Sequence, residues 1–286
     1  MKKDKLKVLI ATATILMVST GSTVPSIVYA AESNKQDIII EESISLNEGV
    51  EKNVEGNMEK ADNYNGEIIE EVNVTSDVEL INAIENPYVK VINLKSDIII
   101  TSTEINQSYE VYGDKKINGN NFEISTSAKE GAYQSYVSMK VHNTLSLENV
   151  SLRYIGFSSY SGSLIGKNLT TYESSIVGNV TLDQVNMTNG ALDGKVKISN
   201  GKLNKTMLNP SSGTLSLTNV EVDALSYGIC AHSSEVYLEN VKIKNSEWTA
   251  LELQAGSSAV LNGEIIFENV GNEAAILLEK KWWRQH

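Results

Sequence analysis

From Val89 onward, apolar residues recur at every second position in short runs, the pattern of strands with one buried face. Val89-Lys90-Val91-Ile92-Asn93-Leu94 and Ile98-Ile99-Ile100 open the series. Five later segments repeat one theme. They are Leu145-Ser146-Leu147-Glu148-Asn149-Val150, Val180-Thr181-Leu182-Asp183-Gln184-Val185, Leu215-Ser216-Leu217-Thr218-Asn219-Val220, Val236-Tyr237-Leu238-Glu239-Asn240-Val241 and Ile265-Ile266-Phe267-Glu268-Asn269-Val270. The fifth residues, Asn149, Gln184, Asn219, Asn240 and Asn269, follow one another at intervals of 35, 35, 21 and 29. Internal repeats of this size predict a solenoid.

The spacing inside a repeat predicts its shape. Leu145 and Leu147 share one face of a strand, as do Val150 and Leu152. The step from Leu147 to Val150 is three, so an unbroken strand would turn Val150 outward. A bend at Glu148-Asn149 restores it, and asparagine tolerates the left-handed backbone such a corner needs. Val220/Val222 and Val241/Ile243 follow the same rule. Stacked coils would set the corner residues Asn149, Gln184, Asn219, Asn240 and Asn269 above one another, with their amides hydrogen-bonded in a ladder. The expected fold is all-β, a right-handed parallel β-helix.

One stretch before the strands reads differently. Ser76 and Glu79 match a capping box, and Val78, Leu80, Ile81 and Ile84 form an apolar stripe that ends at Asn86-Pro87. A helix of about nine residues is marginal alone, so it is expected to cap the N-terminal end of the solenoid. At the other end the pattern breaks after Ala275-Ile276-Leu277-Leu278, where Glu279-Lys280-Lys281-Trp282-Trp283-Arg284-Gln285-His286 replaces the next turn. The Trp pair could plug the end. The favoured expectation is a truncated coil, which makes residues 280–286 an irregular tail.

The N-terminus reads as an export signal. Lys2, Lys3, Lys5 and Lys7 precede an apolar run from Val8 to Val18, and Val28-Tyr29-Ala30 suits cleavage after Ala30. The run is too short for a comfortable membrane span, so no span remains after cleavage. The expected location is extracellular, either secreted or at the cell surface. Residues 31–75 are acidic and aperiodic, the composition of a disordered linker. Charge then divides unevenly. The 286-residue chain carries −12, of which residues 31–76 supply −9 and residues 77–286 supply −6, offset by +3 in the signal.

Composition removes several classes. A single cysteine, Cys230, excludes an internal disulfide framework and cysteine-rich metal sites. An acidic chain with two arginines, Arg153 and Arg284, is no nucleic-acid partner. No metal or other cofactor is expected.

Several of these segments resemble the pectate-lyase-like adhesive domain of Gram-positive bacterial surface proteins. The matching residues are Asp77-Val78-Glu79-Leu80-Ile81-Asn82-Ala83-Ile84, Val91-Ile92-Asn93-Leu94-Lys95-Ser96-Asp97-Ile98, Lys116-Ile117-Asn118-Gly119-Asn120-Asn121-Phe122-Glu123-Ile124, and the Leu-Ser-Leu-Glu-Asn-Val repeats. The resemblance spans roughly 76–279, the expected solenoid domain. It implies a right-handed parallel β-helix with an adhesive or other surface role. Such proteins commonly carry a C-terminal wall anchor, and no LPxTG-type motif appears in this sequence.

Enzyme chemistry makes demands that this sequence does not meet. A pectate lyase needs clustered carboxylates for calcium and a strong base for the C5 proton. Arg153 has no paired acids nearby, and Asp183, Asp193 and Asp223 are scattered. The paired carboxylate motifs of polygalacturonase-type hydrolysis are missing. His142 reads as structural, and Cys230 with His232 lacks an orienting acid in sequence. No catalytic residue is therefore assigned. For binding, Tyr133, Tyr136, Tyr154, Tyr160 and Tyr172, with Phe157, cluster among glycines at 131, 156, 162 and 166. They offer flat faces and hydroxyls to a host or cell-wall glycan or an extracellular protein. The plainer alternative is that they pack along the coils. The expected function is thus non-enzymatic adhesion. A divergent polysaccharide lyase or hydrolase, or a fragment of a larger wall-anchored adhesin, stands as the alternative.

Overall fold

A computed structural model describes residues 6–15, 67–101, 107–127, 137–271 and 274–278. Its strands are mostly parallel and form a β-solenoid of about nine turns. The strand Ile155–Tyr172 shows how a coil is made. Its start, Ile155–Ser158, pairs with Val137–Lys140 of the coil before. Its middle, Ser163–Lys167, pairs with Thr144–Glu148, and its end, Leu169–Tyr172, pairs with Val150–Arg153. Each coil therefore has three straight runs, and stacking them gives three parallel faces, here called first, second and third in that order.

The alternation seen in the sequence builds the core. Along Leu215–Val222, Leu215, Leu217, Val220 and Val222 point inward and are at most 2% exposed. Their neighbours in register, Val196, Ile198 and Leu203 on one side and Val236, Leu238 and Ile243 on the other, are buried as well. Each buried aliphatic side chain contributes about 1.5–3 kcal/mol. A single coil buries little until a neighbour covers it, so stability comes from stacking.

The corner between the second and third faces turns on left-handed residues. Asn149, Asn168, Gln184, Asn200, Asn219, Asn240 and Gly263 have φ of 52°, 54°, 55°, 54°, 54°, 51° and 68°. Asparagine amides link coils here. Asn168 Nδ2 donates to Asn149 Oδ1 at 2.7 Å, Asn219 to Asn200 at 3.3 Å, and Asn240 to Asn219 at 3.3 Å. At Gln184 the ladder sidesteps, since Asn200 Nδ2 reaches Asp183 Oδ1 at 2.8 Å.

Asn269 stands elsewhere. The expected column placed it above Asn240, but Val241 pairs with Ile265, so Gly263 and Glu264 take the corner opposite Asn240. Asn269 falls on the next corner, between the third and first faces, where its amide donates to Asn245 at 3.0 Å. Both corners need the same left-handed conformation, and both use asparagine, so the residue type alone did not tell them apart.

The helix forms at Asp77–Glu85. Ser76 Oγ accepts from Glu79 N at 3.3 Å, while Glu79 Oε2 accepts from Thr75 N at 2.7 Å and Thr75 Oγ1 at 2.9 Å. Leu80, Ala83 and Ile84 are buried against the first coils, whereas Val78 of the expected stripe points to solvent. A strand, Ile69–Val74, precedes the helix and pairs with Val89–Leu94. The solenoid thus begins inside the acidic stretch read as linker. Glu70 and Glu71 on that strand are exposed and only Val74 is buried, so the apolar alternation that marks later strands is weak there.

The helix hands over to the coil through a buried lysine. Lys115, 3% exposed, donates from Nζ to Asn86 O at 2.5 Å and to Val89 O at 2.8 Å. Burial, helped by the charge of Lys90, lowers its pKa from the ordinary 10.5 to about 8. Residues Leu6–Ile15, within the expected signal, lie as a strand antiparallel to Ser258–Glu268, with Leu6 opposite Phe267 and Ile15 opposite Ala259.

Candidate functional site

The first face carries varied side-chain chemistry. Its inward positions, such as Val111, Val137, Met139, Ile155 and Phe157, belong to the core. Positions between them point outward. Glu110 stands in register with Lys140, Lys140 with Ser158, Ser158 with Val177, and Val177 with Asp193. Farther along, Cys230 aligns with Glu252 and Leu277, and His232 with Gln254. Two residues on along their strands stand Tyr112, His142 and Tyr160, after Glu110, Lys140 and Ser158. Rungs of a sheet are about 4.8 Å apart, so these residues make a mostly polar strip parallel to the solenoid axis, interrupted by Val177 and Leu277.

At one end of the strip the groups are tied together. Glu110 accepts from Lys140 Nζ at 3.0 Å, and its Oε2 lies 2.6 Å from His142 Nε2. Tyr112 stacks on the His142 ring, with centroids 5.2 Å apart and planes 9° from parallel. Burial pushes the Glu110 carboxyl up, but hydrogen bonds from His142 and Lys140 prevail and hold it below the ordinary range. Burial, followed by the Glu110 charge, raises the Tyr112 phenol. The arrangement offers a carboxylate, an imidazole and a phenol within one part-buried cluster.

The other end holds Cys230 and His232 on one strand, Ile229–His232, facing the same side. Glu252 beside Cys230 is 3% exposed. Its Oε1 accepts from Gln254 Nε2 at 2.6 Å, and Gln254 Oε1 lies 3.5 Å from His232 Nδ1. This end therefore sets a thiol, an imidazole and a buried carboxyl on adjoining strands. Among the described residues, no group of three His, Cys, Asp or Glu is placed to hold a metal ion.

Comparison with protein families places this geometry. Residues 71–209 match the pectate lyase-like adhesive domain family. The matched segment runs from within the first solenoid strand to just past Met207–Leu208, and it contains the Glu110–His142 cluster. No curated protein and no solved structure matched the chain. The family is described by adhesion, not by a reaction.

Within the matched segment the expected tyrosines separate. Tyr133 and Tyr136 lie outside the described residues. Tyr154 is buried at a corner with φ 59° and meets Tyr172 edge-on at 5.9 Å. Tyr172 is half-buried under the Arg153 guanidinium, 4.8 Å from its ring centroid. Phe157 is in the core. Tyr160, 62% exposed, stands just past the end of the first face, where burial and the Asp193 charge raise its phenol. The tyrosines near Arg153 therefore pack, whereas Tyr160 is open to solvent.

The same geometry bears on the lyase chemistry. Arg153 pairs with Glu123 at 3.3 Å and caps Tyr172, on the third face and away from the strip. Asp183 serves the corner ladder, accepting from Ser199 and Asn200, and Asp193 accepts from the backbone of Gly194 and Ser211. These scattered acids do structural work. Glu110, Lys140 and Tyr112 went unread in the sequence, since Glu110 and His142 are 32 residues apart and meet only when the coil length is known. Among the described residues, no helix is long and apolar enough to cross a membrane.

Proposed function

We propose that this protein is exported by a Gram-positive bacterium and works outside the cell as a non-enzymatic adhesive β-solenoid. The match of residues 71–209 to an adhesive family carries the reading. The basic, then apolar N-terminus with Val28-Tyr29-Ala30 supports export. The rigid stack supports the role, because a solenoid presents a long preorganised face at little entropic cost. The ligand is a host or cell-wall glycan or an extracellular protein, met by the first face with Tyr160 and the Tyr112–His142 stack. Purified protein would be assayed on arrays of glycans and matrix proteins. Saturable binding to members of one class is expected. Absence of binding across both arrays refutes the reading, and N-terminal sequencing of secreted protein should begin at Ala31.

One observation favours a second reading. The Glu110–His142–Tyr112 cluster has the partners of a general acid–base pair. A polysaccharide lyase or hydrolase would use it on a sugar lying along the strip. Release of unsaturated or reducing ends from pectate, alginate or glycosaminoglycan, lost on His142→Ala, would replace adhesion with catalysis.

A further inference from the structure

The corner between the third and first faces carries a second surface that the tyrosine cluster did not reveal. Four large apolar side chains stand exposed there on three successive coils: Met207 at 57%, Leu225 at 48%, Tyr227 at 41% and Trp248 at 49%. Backbone bonds set these loops in register. Lys205 N donates to Asp223 O, and Ala224 N to Lys244 O, so the loops that follow lie one above another. Trp248 N donates to Ser226 O at 3.0 Å and Gly228 N to Thr249 O at 3.0 Å. The Tyr227 and Trp248 rings end up nearly parallel, 20° between planes with centroids 6.5 Å apart.

Exposed aromatics grouped on adjoining loops mark an interaction surface more often than a lone exposed residue does. Its shape narrows the partner. On one side lie the ion pair of Asp223 and Lys244, at the end of the third face, and the corner residue Asn245, whose amide donates to Asp223. On the other side stand Cys230 and His232 of the first face. The apolar ridge is therefore narrow and follows the solenoid axis. That form suits a linear polymer better than the broad apolar centre of a globular interface. The ring faces carry partial negative charge, which attracts the weakly positive C–H face of a pyranose. The two rings, stacked one on the other on neighbouring coils, repeat along the axis as the sugars of an extended chain do. Exposed Glu247 beside Trp248 and the net charge of −6 over residues 77–286 favour an uncharged polymer over an acidic one.

We propose that the Tyr227–Trp248 corner is a glycan-binding subsite that stacks an uncharged polysaccharide along the solenoid axis. It rests on the adhesive reading and assigns that reading a ligand class and two contact residues outside the family-matched segment. The backbone that holds the rings is already ordered by coil pairing, so little entropy is lost on binding.

Affinity electrophoresis of the full chain tests this, with native gels containing β-glucan, galactomannan, xyloglucan, polygalacturonate or no polymer. Retardation by at least one uncharged polymer is expected. Tyr227→Ala/Trp248→Ala should weaken it by about tenfold or more, while Trp248→Phe should keep most of it. Both residues are exposed, so an unchanged thermal midpoint should confirm that the variants fold. Retardation by polygalacturonate alone overturns the proposal. So does uncharged-polymer binding that ignores the double substitution, which would leave the adhesive reading intact at another face. Sedimentation showing that the ridge instead mediates self-association, or array binding to a protein lost in the double variant, also overturns it. No binding to any glycan or protein probe removes both readings.

Discussion

Lys115 provides a direct test of how the helix is joined to the solenoid. It is buried, and its ammonium donates to the carbonyls of Asn86 and Val89 at the turn between helix and strand. Lys115→Met keeps the stem and removes both donors. Hydrogen bonds to a charged partner contribute about 1.5–3 kcal/mol each. Against this, lowering the pKa from 10.5 to about 8 means that burial costs the ammonium about 3 kcal/mol at neutral pH. The two effects oppose each other, so at pH 7 the variant should lie within about 3 kcal/mol of the parent. The pH dependence separates them. Between about pH 8 and 10.5 the unfolded chain binds the Lys115 proton and the folded chain does not, so parent stability rises with pH. The neutral amine still has hydrogens for both carbonyls. Urea unfolding of parent and variant at pH 7, 8, 9 and 10, followed by circular dichroism, should show the gap widening in the parent's favour by about 2–3 kcal/mol. Other titrating groups cancel in the difference. A gap that stays flat or narrows would refute the reasoning, because it would mean that the two carbonyls hold the ammonium at or above its ordinary pKa.

Further outcomes follow from other contacts. Asn219 accepts from Asn240, donates to Asn200 and holds φ 54°, so Asn219→Ala should cost about 1–3 kcal/mol in denaturant melts. Asn219→Gly should cost less, since it keeps the backbone and loses only the ladder. Gly119→Ala should prevent a stable fold or lower the thermal midpoint sharply. The added Cβ would sit 2.3 Å from Asn149 O and 2.4 Å from Val150 Cβ, atoms that cannot swing away. Glu110 is held below the ordinary carboxyl range, so its contribution is complete above about pH 4.5 and fades as pH falls through the lowered value. Glu110→Gln should flatten that part of the acid-stability profile in thermal melts.

How much could be read in advance depended on periodicity. The solenoid, the helix and the left-handed corners follow from spacing, because burying one face of short strands forces a bend wherever the apolar step changes from two to three. Asn168 and Asn200 escaped notice although they occupy the same corner. Their repeats are disguised by Gly166 and Gly201, which replace the apolar residues that mark the others. A Cβ at Gly166 would come within 2.4 Å of Leu169 Cδ1 and 2.6 Å of Leu182 Cδ2, so neighbouring leucines fill that space instead. With them restored, the corner column runs at intervals of 16 to 23 residues, and the 35-residue spacing resolves into two coils.

The site was less legible. The tyrosine cluster was identified by nearness along the chain, yet Tyr154 faces a buried corner and Tyr160 faces solvent only six residues away. The pairs that matter are separated by a whole coil: Glu110 with His142, and Tyr227 with Trp248. What the amino-acid sequence determined by itself is local, namely which positions bury, where the chain must turn and which residues tolerate the turn. Which side chains meet across coils was decided by the tertiary structure. Loops of unequal length set the register between coils, and a local pattern carries no record of that register.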